Sequence, residues 1–171
     1  MEDPRKCFLR PLQIELRRQG WTPERVTTRA WVSELVKAGI AVLPEAESIL
    51  QNFGGLAIHP VRTTFDVVPG EMIHFDPITL VLSEVERIRG WEQRLAQRLT
   101  PLGVKRPSDE IVLLGEDGRV IGEWGNILVV YGSSFEDALE STLVLARRNP
   151  EMYRLTSEGE LVPARGWLPS P

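Results

Sequence analysis

Ile111-Val-Leu-Leu-Gly-Glu-Asp-Gly-Arg-Val-Ile-Gly-Glu-Trp-Gly-Asn-Ile-Leu-Val-Val-Tyr131 is the stretch whose reading decides the fold. Ile111–Leu114 is a continuous apolar run, Glu116-Asp117-Gly118-Arg119 is turn chemistry, and Val120-Ile121 resumes the apolar pattern. Ile127–Tyr131, rich in β-branched residues, makes a third strand. Strands adjacent in sequence and joined by turns pair antiparallel. The fold class that follows is α+β: a single domain with a central, mostly antiparallel sheet flanked by helices.

Upstream, the period is helical. Leu12 and Leu16 lie four apart in a short helix marked at its start by Pro11 and ended at Gly20. Thr28–Ala38 carries Trp31, Val32, Leu35 and Val36 as one apolar stripe, with Gly39 stopping it. Pro44 opens a third helix whose Ala46, Ile49, Leu50 and Phe53 precede Gly54-Gly55, one of which is expected at positive φ. The period then changes to strands at Leu56–Ile58, Thr63–Val68 and Met72–Phe75. Asp76-Pro77 initiates a helix through Ile78, Val81, Leu82, Val85 and Ile88; Trp91, Leu95 and Leu99 continue it past Gly90, where a break or kink is expected. Thr100-Pro101-Leu102-Gly103 reads as the connection into the strands quoted above.

Downstream, Ser133 or Ser134 caps a last helix with the stripe Phe135, Ala138, Leu139, Thr142, Leu145 and Ala146, ended by Asn149-Pro150. The expected division is a domain over 1–148 and a C-terminal tail over 149–171. That tail holds either a small hairpin at Ser157-Glu158-Gly159 or a partly mobile stretch. The core is expected to join the helical stripes to Phe65, Ile111, Leu113, Val120, Leu128 and Val130.

Composition restricts the chemistry. The 171 residues carry 20 Lys+Arg against 24 Asp+Glu, a net charge of −4, which disfavours nucleic-acid binding through a basic face. One cysteine, Cys7, allows no intrachain disulfide, and with His59 and His74 alone no multi-histidine metal centre forms. No apolar run approaches the roughly 20 residues of a membrane helix, and the charged, proline-broken N-terminus is not a secretory signal. The expectation is a cytoplasmic protein with no cofactor, no metal and no membrane partner.

The site motifs are also poor. Cys7 has no base in reach by motif, and His59 and His74 read as hydrogen-bonded structural residues in strand contexts. Phe53-Gly54-Gly55-Leu56 runs from helix to strand, the reverse of a dinucleotide fingerprint, and no phosphate-binding loop motif occurs. The pairs Asp109-Glu110, Glu116-Asp117 and Glu136-Asp137 flank turns or open a helix, where shared burial is not expected. Five tryptophans are the informative excess: large aromatics mostly make core, and they also anchor protein interfaces.

The order of motifs resembles a SUKH-superfamily domain, closest to the third subfamily of bacterial polymorphic toxin systems. The resemblance is carried by Gly20-Trp-Thr-Pro-Glu-Arg25, Ile49-Leu-Gln-Asn-Phe-Gly-Gly-Leu56, Phe75-Asp-Pro77, Leu99-Thr-Pro-Leu-Gly103, Asp117-Gly-Arg-Val120 and Tyr131-Gly-Ser-Ser-Phe-Glu-Asp-Ala-Leu139. It covers about residues 8–147 and leaves 149–171 unmatched. It implies an α+β immunity protein without catalytic residues that neutralises a cognate toxin, frequently a nuclease or deaminase, by binding it. The alternative is a scaffold or regulator of the same superfamily outside toxin systems. Candidate partner-binding residues are the clustered turn acids Asp109, Glu110, Glu116 and Asp117, with Asp66 and Glu71 as neighbours; Trp124 is a separate candidate, its region and the Trp167 tail being the next places for an interface.

Overall fold

The computed structural model describes residues 9–27, 30–61, 70–79 and 83–164. Cys7, the 63–68 strand with Phe65 and Asp66, Val81, Leu82 and Trp167 lie outside the described residues.

Three helices lead: α1 (Arg10–Arg18), α2 (Trp31–Lys37) and α3 (Pro44–Phe53). Proline in the first turn starts α1 and α3, where the missing N–H costs nothing. In α2, Trp31 and Leu35 are buried but Val36 is 58% exposed, so the stripe is narrower than its sequence suggests. Strands β1 (Ala57–Ile58) and β2 (Met72–His74) follow, then α4 (Val85–Leu95). Next come β3 (Leu99–Arg106), β4 (Glu110–Gly115), β5 (Val120–Trp124) and β6 (Ile127–Gly132). Helix α5 (Phe135–Ala138) runs into a π-helical segment at Leu139–Leu143, and β7 (Glu151–Leu155) with β8 (Leu161–Pro163) form a hairpin. The eight strands make one antiparallel sheet whose spatial order is the sequence order, β1 to β8.

Several local expectations are corrected. Leu99 is not the end of a helix, and Thr100–Gly103 is not a connection leading into the strands: all belong to β3, which passes its proline through a register shift between Pro101 and Gly103. Gly90 does not break α4; Ile88 and Trp91 on either side are buried, which outweighs a glycine penalty of about 1 kcal/mol. Asp76 caps a turn, its Oδ1 accepting from the N–H of Ile78 and Thr79, and α4 itself starts only at Val85. The final helix widens to π and ends at Leu143, short of Leu145 and Ala146.

Pairing fixes the faces. Lys105, Glu110, Val112, Gly122, Val129 and Tyr131 share one face; Val104, Ile111, Leu113, Ile121, Glu123 and Leu128 share the other. The first face is covered by α3 and α5, whose Phe53 and Phe135 lie 5.0 Å apart between ring centroids and meet Phe75 at 5.3 and 6.0 Å. Buried Thr100 ties in the approach to α3, donating to Ala41 O and accepting from Leu43 N–H. Helix α4 covers the second face, where Arg87 Nε lies 2.8 Å from Oε2 of fully buried Glu123. Ile111, Leu113, Val120 and Leu128 are core, as expected; Val130 is only half-buried.

Candidate functional site

An antiparallel meander puts alternate turns at opposite ends of the sheet. The β3–β4 turn (107–109), the β5–β6 turn (Gly125-Asn126) and the β7–β8 turn (156–160) gather at one end. The β4–β5 turn, with Glu116 and Asp117, lies at the other, about 20 Å away along the six residues of β4. The candidate residues therefore divide. Glu71, Asp109, Glu110 and Trp124 come together; Glu116 and Asp117 do not join them.

The distant pair is neutralised locally. Arg98 Nη2 reaches Glu116 Oε1 at 2.6 Å, and its hydrogen bond holds that carboxyl below the usual range. Partial burial pushes Asp117 up, but hydrogen bonds from Arg119, whose Nε is 2.6 Å from Oδ2, leave it lowered.

At the gathered end, Asp109 turns the chain with φ 61°, its carboxylate half exposed and ion-paired to Arg106. Glu71 accepts from Ser108 through both N–H (3.0 Å) and Oγ (2.8 Å). Glu110 departs from expectation. It is 6% exposed, not a solvated turn acid, because Lys105 stands opposite it in β3 and Gly122, on the neighbouring strand, leaves the space that its carboxylate fills. Tyr131 donates to Glu110 Oε1, and Lys105 Nζ donates to Tyr131 Oη at 2.7 Å while lying 3.5 Å from Glu110 Oε2 and 3.6 Å from Glu71. Burial pushes the Glu110 carboxyl up against the pull of Lys105. Burial and the adjacent Glu110 push Tyr131 well up, so the phenol stays protonated as a donor. The hydroxyl both donates and accepts, which closes the chain of bonds and makes it a structural bracket rather than an activated nucleophile. It borders a cavity of about 170 Å³ lined by Pro60, Val61, Glu71, Thr142 and Leu143 among others.

Trp124 ends β5 at this same end, 49% exposed, and is the one aromatic among the exposed large hydrophobic side chains of the described residues. The β7–β8 turn stands beside it, since Leu155 N–H bonds Asn126 O, and adds exposed Glu158 and Glu160. Sequence reading passed over these two acids and Arg154, because the hairpin holding them falls beyond the recognised motif series. Lys105 and Tyr131 were legible only as members of strands. Recognising β3 would have set Lys105 opposite Glu110 at the base of the turn.

Among the described residues, no group of three or more His, Cys, Asp or Glu is placed to hold a metal ion. His59 is exposed, its backbone tied to the Gln19 side chain through N–H and C=O, and His74 is half-buried in β2. No helix among the described residues is long and apolar enough to cross a membrane.

The motifs that carry the resemblance are scaffold. Trp21 is fully buried, with its indole N–H on Asn52 Oδ1 at 2.5 Å; Arg25 donates to Asn52 O and Gly54 O and so locks the Gly20–Arg25 loop to the end of α3. Ser134 caps α5 through the N–H of Asp137. No curated protein and no solved structure matches the chain. A family model described as SUKH-3 immunity protein does match, over residues 10–145, which spans every one of these scaffold motifs and the sheet through β6. The chain belongs to the SUKH-3 immunity protein family.

Proposed function

We propose that this chain neutralises a protein toxin in the cytoplasm by binding it with the gathered-turn end of its sheet, by occlusion and without chemistry of its own. The family supplies the class of function, and one observation carries the choice of surface. An exposed indole, Trp124, stands among three turns bearing the acids Asp109, Glu158 and Glu160. Tryptophan in the middle of a polar rim is the composition of an interface hot spot. Acids around it would steer a toxin that is basic along a nucleic-acid path, and a toxin held there would have that path covered. Glu116 and Asp117, at the far end of the sheet, are left out of this surface.

The test uses a toxin encoded beside this chain's gene or captured with the chain from its own cells, produced with it and separately. Trp124→Ala is expected to weaken binding at least about thirtyfold, a hot-spot loss of about 2 kcal/mol or more. Asp109→Lys, Glu158→Lys and Glu160→Lys together are expected to slow association about tenfold at low salt, with the difference shrinking as salt rises. Unchanged affinity and unchanged protection of toxin-expressing cells in both variants would move the interface elsewhere. A chain that neither binds nor protects would remove the immunity reading.

A further inference from the structure

Beside Trp124 runs a groove whose charge is opposite to that of the turns around it. Trp124 stands across from Ile127, and Ile127 across from Arg154, so indole, branched side chain and guanidinium form one row over β5, β6 and β7. Met152 lies in the next row, and Ala164 closes the groove with its N–H on Met152 O at 2.8 Å. The groove holds about 460 Å³. Gly125, at φ 65° with nothing within 4 Å of where a Cβ would stand, leaves the mouth at the turn open. Arg154 is exposed, and its guanidinium makes no hydrogen bond or ion pair among the described residues.

We infer that this groove recognises a carboxylate adjoining an apolar side chain on the surface of a protein partner. A guanidinium fork matches a single carboxylate in two parallel hydrogen bonds. The apolar neighbour then lies on the indole, Ile127 and the Met152 thioether, surfaces that adapt to branched and aromatic groups. A polyanion is a poor fit. One unpaired cation sits among Glu158, Glu160 and Asp109 on a chain of net charge −4, so repeated phosphates would be repelled. On the function proposed above, the toxin would present a basic margin to the acidic turns and an acidic–apolar pair to the centre. The inference rests on that reading only for the identity of the partner.

The groove is tested without the toxin. The full chain, labelled with ¹⁵N, is titrated with N-acetyl-leucine, with its uncharged amide N-acetyl-leucinamide and with inorganic phosphate. N-acetyl-leucine is expected to shift the Trp124 indole N–H and the amides of Ile127 and Arg154 and to bind about two- to fivefold tighter than the amide, the worth of one exposed ion pair. Arg154→Gln should erase that preference, Arg154→Lys should keep part of it, and Trp124→Ala should weaken both ligands. Phosphate alone should bind more weakly than either. Equal binding of acid and amide, shifts confined to other parts of the molecule, or no saturable shift would overturn the inference. If the preference holds while toxin binding ignores Trp124, the groove stands and the assigned toxin interface falls.

Discussion

Asp109 and Glu110 are neighbours in sequence with opposite environments, and reversing each charge separately should show it. In Glu110→Lys the new ammonium replaces a carboxylate whose Oε2 lies 3.5 Å from Lys105 Nζ, and it loses the bond from Tyr131. Two like charges about 4 Å apart repel by about 4 kcal/mol at an effective dielectric constant of about 20. Breaking a buried pair costs about 3–5 kcal/mol by itself. These are overlapping descriptions of one loss, so the expected destabilisation is about 4 kcal/mol. At about 2–4 °C per kcal/mol for a chain of this size, Tm should fall by about 8–16 °C. Asp109→Lys removes an exposed pair with Arg106 and places a less suitable residue at positive φ, together about 1 kcal/mol. Urea and thermal unfolding followed by circular dichroism would measure both. A Glu110→Lys chain melting within about 2 °C of Asp109→Lys would refute the burial of Glu110 and the bracket built on it.

Two further outcomes are expected. Gly54→Ala should destabilise by about 2 kcal/mol or more in urea unfolding, because its Cβ would overlap Leu50 O and Trp31 Nε1, whereas Gly55→Ala, at φ 82° with only Arg25 Nη2 at an ordinary 3.8 Å, should cost about 1–2 kcal/mol. Asp137 accepts from Ser133 N–H and Oγ, Ser141 Oγ and Arg148, which lowers its pKa from 3.8 to about 2. A lowered carboxylate stabilises above its unfolded pKa and loses that contribution as pH falls through its folded one. Asp137→Asn should therefore cost about 1 kcal/mol at pH 7 after solvent screening, with the deficit vanishing between about pH 4 and 2 in urea midpoints taken across pH.

Most elements were readable because their signals are local. Proline at the start of α1 and α3, glycine after α1 and α2, Ser134 before α5, and the turn chemistry at 116–119 each act within a few residues of the boundary they set. Strand β3 was hidden because Pro101 and Gly103 are strand-breaking by propensity. Its proline is absorbed by a bulge, and Gly103 is needed where His74 and Phe75 backbone pass too close for a Cβ. The widening at Leu139–Leu143 leaves the apolar stripe unchanged in sequence, while Thr142 Oγ1 donates to Tyr131 O and Ala138 O only once β6 is in place. The candidate site failed for a similar reason at Glu110, whose burial is decided by Lys105, Gly122 and Tyr131 from three other strands. Turn acids look alike in sequence; which end of the sheet they occupy is a property of pairing.

The agreement between strand order and sequence order also bears on how the molecule is made. Each strand after the first can pair with one that has already left the ribosome, so the sheet can grow by successive docking from β1 onward. The longest wait after β2 is the passage through α4 before β3 arrives, during which the edge of β2 has no partner. Every later strand is presented to a waiting edge within a few residues, except β7, which follows α5 and the π-helical segment. Until β7 emerges, β6 is the exposed edge, with Leu128 and Val129 at the growing front. A nascent chain stalled there would offer its most apolar strand for pairing with a second copy, so the hairpin that carries Arg154 and Glu158 also ends the period in which the chain can aggregate through that edge.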